Sequence, residues 1–168
     1  MMSDTAFIGL GSNLAQPAEQ LKGALRDLHQ HEKVSLQRWS HLYQSAPMGP
    51  KDQPDYVNAV CQVTTSLRPE ELLDVLQAIE QSHGRERKGH KWGPRTLDLD
   101  MLMFNDLRLN TERLTLPHYG MREREFVLVP LFEIAPDLIM QDGLPLAAWI
   151  HKCGLDGLKR LSEKIEIV

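Results

Sequence analysis

Residues 91–104 read KWGPRTLDLDMLMF, and the second half of that stretch decides how the rest of the chain must be arranged. Leu97, Leu99, Met101 and Met103 alternate with Asp98, Asp100, Leu102 and Phe104, a period of two that fits a strand and not a helix. On a strand, Asp98 and Asp100 project from one face with their Cβ atoms roughly 6 to 7 Å apart, two steps of the strand rise. The opposite face is wholly apolar, and the aspartate face continues into Leu102 and Phe104, so the strand is expected to be central and mostly buried. Two carboxylates held that close repel unless water or a cation lies between them. Hard oxygens converging from a stiff element suit Mg²⁺, which takes one or two protein carboxylates and completes its octahedron with water and phosphate oxygens. Two ordinary surface acids at a strand end would share this spacing, so the neighbouring residues must decide.

Immediately upstream, GRERKGHKWGPR (84–95) carries Arg85, Arg87, Lys88, Lys91 and Arg95 against one acid, Glu86, and is punctuated by glycines 84, 89 and 93. Guanidinium forks neutralise phosphate oxygens and glycines let a loop move, so this segment beside a carboxylate pair suits a polyphosphate site. Downstream, RLTLPHYGMRER (113–124) adds Arg113, Thr115, His118, Tyr119, Arg122 and Arg124 around the turn residues Pro117 and Gly120. A histidine among arginines suits phosphate contact. Tyr56 and Asn58 form a same-face pair, and with Trp92 they have the chemistry to stack on and hydrogen-bond a flat heterocycle. Gln77 and Glu80 share one face of a predicted helix, where a solvated surface is the ordinary role.

The 168 residues, 42% hydrophobic and 25% charged, fit a single domain over 1–168 with a substantial core. A formal net charge of -4 argues against a general nucleic-acid binder. Cys61 and Cys153 set no disulfide framework, and the N-terminal MMSDTAFIGLGSNLA has neither a basic n-region nor a long apolar h-region. A soluble, cytoplasmic protein with no membrane partner is expected.

The periodicities predict a strand over 5–11, a turn at Ser12–Asn13, and a helix from Pro17 with Leu21, Leu25 and Leu28 on one face. Strands follow near 34–45 and 56–66, separated by the proline-rich loop APMGPKDQPD. A second helix runs from Pro69 to about Ser82, with Glu70 and Glu71 in its first turn and Leu72, Leu76 and Ile79 as its core stripe. The aspartate strand comes next, then a turn-rich stretch and helical signals near 126–135 and 145–161. The order βαββαβ is that of a ferredoxin-like α+β sandwich, an antiparallel sheet with helices on one face, here with a C-terminal helical extension. That fold serves many functions and does not select one.

The segments IGLGSNL (8–14), QPDYVNAV (53–60), KWGPRTLDLD (91–100), TERLTLPHY (111–119) and PLFEIAPDL (130–138) together resemble the 6-hydroxymethyl-7,8-dihydropterin pyrophosphokinases of folate biosynthesis. The resemblance covers most of the chain, and the run from Lys91 to Met101 is its most discriminating part. Spacing points only to a metal and polyphosphate site; the pterin comes from the resemblance. It implies transfer of pyrophosphate from ATP to the pterin's hydroxymethyl oxygen with release of AMP, and it implies that Asp98 and Asp100 hold two Mg²⁺ ions; a monomer is expected. It assigns Arg85 and Arg95 as catalytic-loop arginines, with Arg87, Lys88 and Trp92 on the same loop. Gln77, Glu80, Arg113, Thr115, His118, Tyr119 and Arg124 match ATP-side positions. Tyr56 and Phe126 match an aromatic pair about the pterin, with Asn58 at its polar edge and Ser45, Met48 and Trp92 lining the pocket. The chain departs from the commoner pattern at Ser45–Ala46, where many members read Thr-Pro, which bears on loop rigidity. The competing readings are a ferredoxin-like module gripping single-stranded RNA through sheet aromatics, and a two-metal nucleotidyltransferase. An aromatic content of 6% and an acidic total give the first little support.

Overall fold

The computed structural model describes residues 3–13, 16–45, 56–83, 97–154, 158–161 and 166–167. Met48, Arg85, Arg87, Lys88, Trp92 and Arg95 lie outside the described residues. The chain runs β1 (Asp4–Ser12), α1 (Pro17–Gln30), β2 (Val34–Trp39), β3 (Tyr43–Ser45), β4 (Tyr56–Thr65), α2 (Pro69–Ser82) and β5 (Asp98–Phe104). A short hairpin of β6 (Leu109–Asn110) and β7 (Thr115–Leu116) follows, then a 3-10 turn (Met121–Glu123), α3 (Glu125–Ile134), α4 (Leu146–Cys153) and β8 (Lys159–Arg160). The main sheet has the order β5-β1-β4-β3-β8, with β2 also paired to β4, and its pairings are antiparallel. This is the ferredoxin-like order predicted from the element sequence.

The side chains of Ala6, Ile8 and Leu10 from β1, and Ala59, Cys61 and Val63 from β4, face α1 and α2. The helices answer with Leu21, Leu25 and Leu28 and with Leu72, Leu76 and Ile79, the stripes expected from a 3.6-residue period. Each helix opens on a proline, whose missing N–H costs nothing in the first turn. At the start of α2 the Glu71 carboxylate also accepts the Arg68 N–H at 3.0 Å. On the other face of the sheet, Phe7, Val60, Leu102 and Met103 pack against Val127, Leu128 and Leu131 of α3 and Leu146 and Trp149 of α4. The C-terminal extension therefore makes a third layer, where the sequence suggested helices on one face alone.

Three local expectations are corrected. Strict alternation in β5 ends at a bulge opposite Phe7 and Ile8, where Met101 pairs with Ile8 and Met103 with Phe7. The extra residue turns Phe104 into the α1/α2 core and puts both Leu102 and Met103 on the α3 side. The single strand expected over 34–45 is broken at Ser40–Leu42. There the Ser40 hydroxyl takes the Val60 N–H at 3.0 Å and the His41 N–H turns away from β4 towards Glu133. The helix expected to reach 161 stops at Cys153, because Gly154 adopts φ of 86°; Lys159 and Arg160 instead pair with β3. Among the described residues no helix is long and apolar enough to cross a membrane.

Candidate active site

Cross-strand pairing places Tyr43, Asn58, Gly11 and Asp98 in one continuous row across four strands. The adjacent row is Val60, Gly9 and Asp100. Residues directly opposite one another share a face, so both aspartates, Asn58 and Tyr56 stand on the α3 side of the sheet. Gly9 and Gly11 carry no side chain there: Gly9 is buried beneath Leu102, and Gly11, half-buried, lies between Asn58 and Asp98. A Cβ at Gly11 would sit 3.1 Å from Asn58 Oδ1, and one at Gly9 would sit 3.4 Å from Leu102. Asn58 and Asp98 are thus separated by two strand spacings, about 10 Å, with only Gly11 between them. Sequence reasoning missed these glycines as site elements; two glycines two apart inside a strand are a usable signal of close approach by a ligand.

Asn58 is buried and donates through Nδ2 to Ser45 Oγ at 2.8 Å, which leaves its oxygen over Gly11. Ser45, paired with Tyr56 in the β3–β4 ladder, is therefore tied to the site through its own hydroxyl. Tyr56 is half-buried at the start of β4. Phe126 lies in the first turn of α3, half-buried against the second core, with the Arg124 guanidinium 5.8 Å over its ring.

The outer edge of β5 carries the other group. Glu80 is only 4% exposed, and its Oε2 accepts the N–H of Leu99, the residue between the two aspartates, at 2.9 Å. This overturns the solvated-face expectation for Glu80: its carboxylate satisfies an edge N–H that the sheet leaves open. His118 approaches from the turn after β7, its N–H bonded to the Leu102 carbonyl at 2.9 Å. Its Nδ1 accepts the Gly120 N–H at 3.1 Å, so in the neutral ring the proton is on Nε2, which faces Asp100 Oδ1 at 3.9 Å. Burial pulls the His118 pKa below its ordinary value, the Asp100 charge opposes that and Arg124 reinforces it. The lowered pKa favours the neutral ring, in which the contact with Asp100 is not a full ion pair. Tyr119 is 80% exposed and stacks on His118 at 4.8 Å between ring centroids.

Gln77 is brought to Arg113, whose Nη2 reaches Gln77 Oε1 at 3.2 Å and also pairs with Asp74. Thr115 sits half-buried in β7, paired with Asn110 of β6. Arg122 is not brought to the aspartates. It pairs with Asp142 at 2.8 Å and lies 4.6 Å over Trp149, whose Nε1 shares the same carboxylate oxygen. At the end of α2, the His83 ring is seated on Gly23 of α1, where a Cβ would meet it at 2.5 Å, and is held by Gln20 and Asp27 at 2.9 and 3.0 Å. That seat secures the last described residue before the basic segment.

The model of one protein family, 7,8-dihydro-6-hydroxymethylpterin-pyrophosphokinase, matches residues 7–136 of the chain. The chain belongs to this family. A pyrophosphokinase of Haemophilus influenzae, named for 2-amino-4-hydroxy-6-hydroxymethyldihydropteridine, is 54% identical over 81% of the chain and 84% of its own length. The Pseudomonas aeruginosa protein of the same name is 47% identical over 95% and 98%. Among solved structures, a Plasmodium falciparum HPPK-DHPS aligns with a TM-score of 0.73 and 15% identity, over 94% of this chain and 48% of that one. This likeness carries the fold alone, and the chain spans about half of that longer chain. The pyrophosphokinase match takes in both aspartates, the glycine floor and α3.

Among the described residues no group of three or more His, Cys, Asp or Glu is gathered to enclose an ion. Two carboxylates on one strand face, Asp100 of them exposed, nevertheless suit an ion such as Mg²⁺ that draws most of its ligands from water and phosphate.

Proposed function

We propose that the protein transfers pyrophosphate from ATP to the hydroxymethyl oxygen of 6-hydroxymethyl-7,8-dihydropterin, acting as one monomeric cytoplasmic domain over 1–168. The new bond joins that oxygen to the β-phosphorus; the bond to the bridging oxygen breaks, AMP leaves and the hydroxyl proton is released. The observation that carries this reading is the row Asn58–Gly11–Asp98, in which an amide that would meet a heterocycle edge and a carboxylate that would hold a metal flank a glycine.

Asp98 and Asp100 would hold Mg²⁺, two ions by the resemblance. When bound, Mg²⁺ neutralises polyphosphate charge as the phosphoryl group moves. Tyr56 and Phe126 would enclose the pterin rings, with Asn58, oriented by Ser45, reading the polar edge and Met48 and Trp92 completing the pocket. Gln77, Arg113, Thr115, His118, Tyr119 and Arg124 lie on the β5 side, where ATP would run. Glu80 acts there by fixing the strand that carries the aspartates. A neutral His118 with Nε2–H turned to the site donates to an anion without adding a full charge. Arg85 and Arg95, with Arg87 and Lys88, would supply charge to the transferring group from the basic segment.

AMP release from ATP tests this directly. It is expected only when the hydroxymethyl dihydropterin is present and to be unaffected by DNA or RNA; pterin-independent AMP release, or dependence on a polynucleotide, would sink the assignment.

A further inference from the structure

Glu133 occupies a place that helix chemistry does not favour. It lies in the last turn of α3, where the carbonyl ends repel a carboxylate, and no basic residue of that turn offsets it. Its partners come instead from the corner between β2 and β3. The His41 N–H reaches both carboxylate oxygens, at 3.1 and 3.0 Å, His41 Nδ1 lies 2.7 Å from Oε2, and the Tyr43 hydroxyl donates to Oε1 at 2.7 Å. A carboxylate only accepts, so His41 Nδ1 carries its proton here. Arg38 adds a second tie, donating to the Ile134 carbonyl at 3.1 Å. This cluster is remote from the aspartates, and the transfer chemistry makes no use of it.

What it holds is informative. Tyr43, 5% exposed, heads the row that continues through Asn58 and Gly11 to Asp98. Phe126 precedes Glu133 by seven residues, two turns along the same stripe of α3. A lock at Glu133 therefore sets both the rotation of α3 and its height over the strand that carries Asn58.

We propose that Glu133 is a positioning residue for the heterocycle: gripped by His41 and Tyr43, it fixes where α3 presents Phe126 relative to Tyr56 and Asn58. This rests on the pterin reading of the site. Glutamine at 133 keeps an acceptor for Tyr43 but turns an NH₂ towards the donors of His41, so the lock loosens without loss of volume.

The test is titration calorimetry of 6-hydroxymethylpterin into protein saturated with a non-cleavable α,β-methylene ATP analogue, for wild type, Glu133→Gln and Tyr43→Phe. Glu133→Gln is expected to weaken pterin binding about tenfold and Tyr43→Phe about threefold, with the analogue's own affinity held within about twofold. In turnover, KM for the pterin rises while kcat stays within about twofold, the pattern of lost ground-state binding. Tyr43→Phe removes one hydroxyl only and serves if Glu133→Gln does not fold. Equal losses for both ligands, or lowered melting temperatures with pterin binding unchanged, would reduce Glu133 to a plain structural tie and overturn the proposal. Wild-type protein that binds no pterin would instead overturn the functional reading, and the proposal with it.

Discussion

The two faces of the sheet are built to opposite specifications. On the α1/α2 side β1, β2, β4 and β5 contribute apolar side chains, and two long amphipathic helices seal them from water. On the α3/α4 side the apolar packing starts at Gly9, flanked by Val60 and Leu102; towards Gly11 stand Asp98, Asp100, Asn58 and Tyr56. One strand serves both masters, since alternate residues of β5 feed the sealed core while the others carry the carboxylates. Stability and chemistry are therefore separable by parity along a strand, and substitutions on the two faces should separate them in experiment.

The largest effect is expected at the aspartates. Asp98→Ala and Asp100→Ala should each cut turnover by on the order of 10³ or more, because charge neutralisation dominates phosphoryl-type transfer. Melting curves without Mg²⁺ should hardly move; near-normal activity of either variant at saturating Mg²⁺ would remove that residue from the metal role. The converse is Leu76→Ala on the sealed face, fully buried in α2. It should cost about 2 to 5 kcal/mol in urea unfolding, with nucleotide and pterin affinities of the folded protein unchanged.

Glu80→Ala crosses the divide, because Glu80 comes from the sealed-face helix and acts on the strand that holds the aspartates. Leaving the Leu99 N–H without that acceptor should cost about 1 to 3 kcal/mol of stability and lower activity as well. A variant with full stability and lost ATP binding would show a direct nucleotide contact instead. Gly11→Ala should be milder still. Its Cβ would press on Asn58 Oδ1, weakening pterin binding measured calorimetrically by about 1 kcal/mol, the scale of one disturbed hydrogen bond, while ATP-analogue binding is kept.

The smallest effect concerns acid stability. Burial pushes the Glu133 carboxyl up, but the bonds from His41 and Tyr43 outweigh it and hold its pKa below the ordinary glutamate value. A depressed folded-state pKa gives stability that is present above the unfolded-state value and lost as pH falls through the folded one. Below about pH 4, therefore, the melting temperature of wild type should fall more steeply than that of Glu133→Gln; parallel curves would show that Glu133 does not titrate with folding.

What the sequence revealed and what it hid divide along the same physical line. The bounds of α2 could be read because proline, the acidic first turn and the apolar stripe are local signals, and the helix runs Pro69–Ser82. Asp98 and Asp100 could be read because period two is local. The bulge that turns Phe104 inward could not, since it depends on how β5 is registered against Phe7 and Ile8. Glu80 looked like a surface residue because its partner lies on another element, and the break at His41 depends on Glu133, 92 residues away. Interactions closed through space leave no period in the chain. The family resemblance supplied the site roles that spacing alone did not.

The glycine floor bears on inhibitor design. A compound drawing its affinity from an arginine or tyrosine side chain can be evaded by one substitution that deletes the contact. A compound lying flat on Gly11 would meet main chain, which no codon change removes. The resistance route left open is to add a side chain at Gly11, where the new atom would press on Asn58 Oδ1. That change intrudes on the surface that the substrate is proposed to share, so escape from such a compound should carry a cost in fitness.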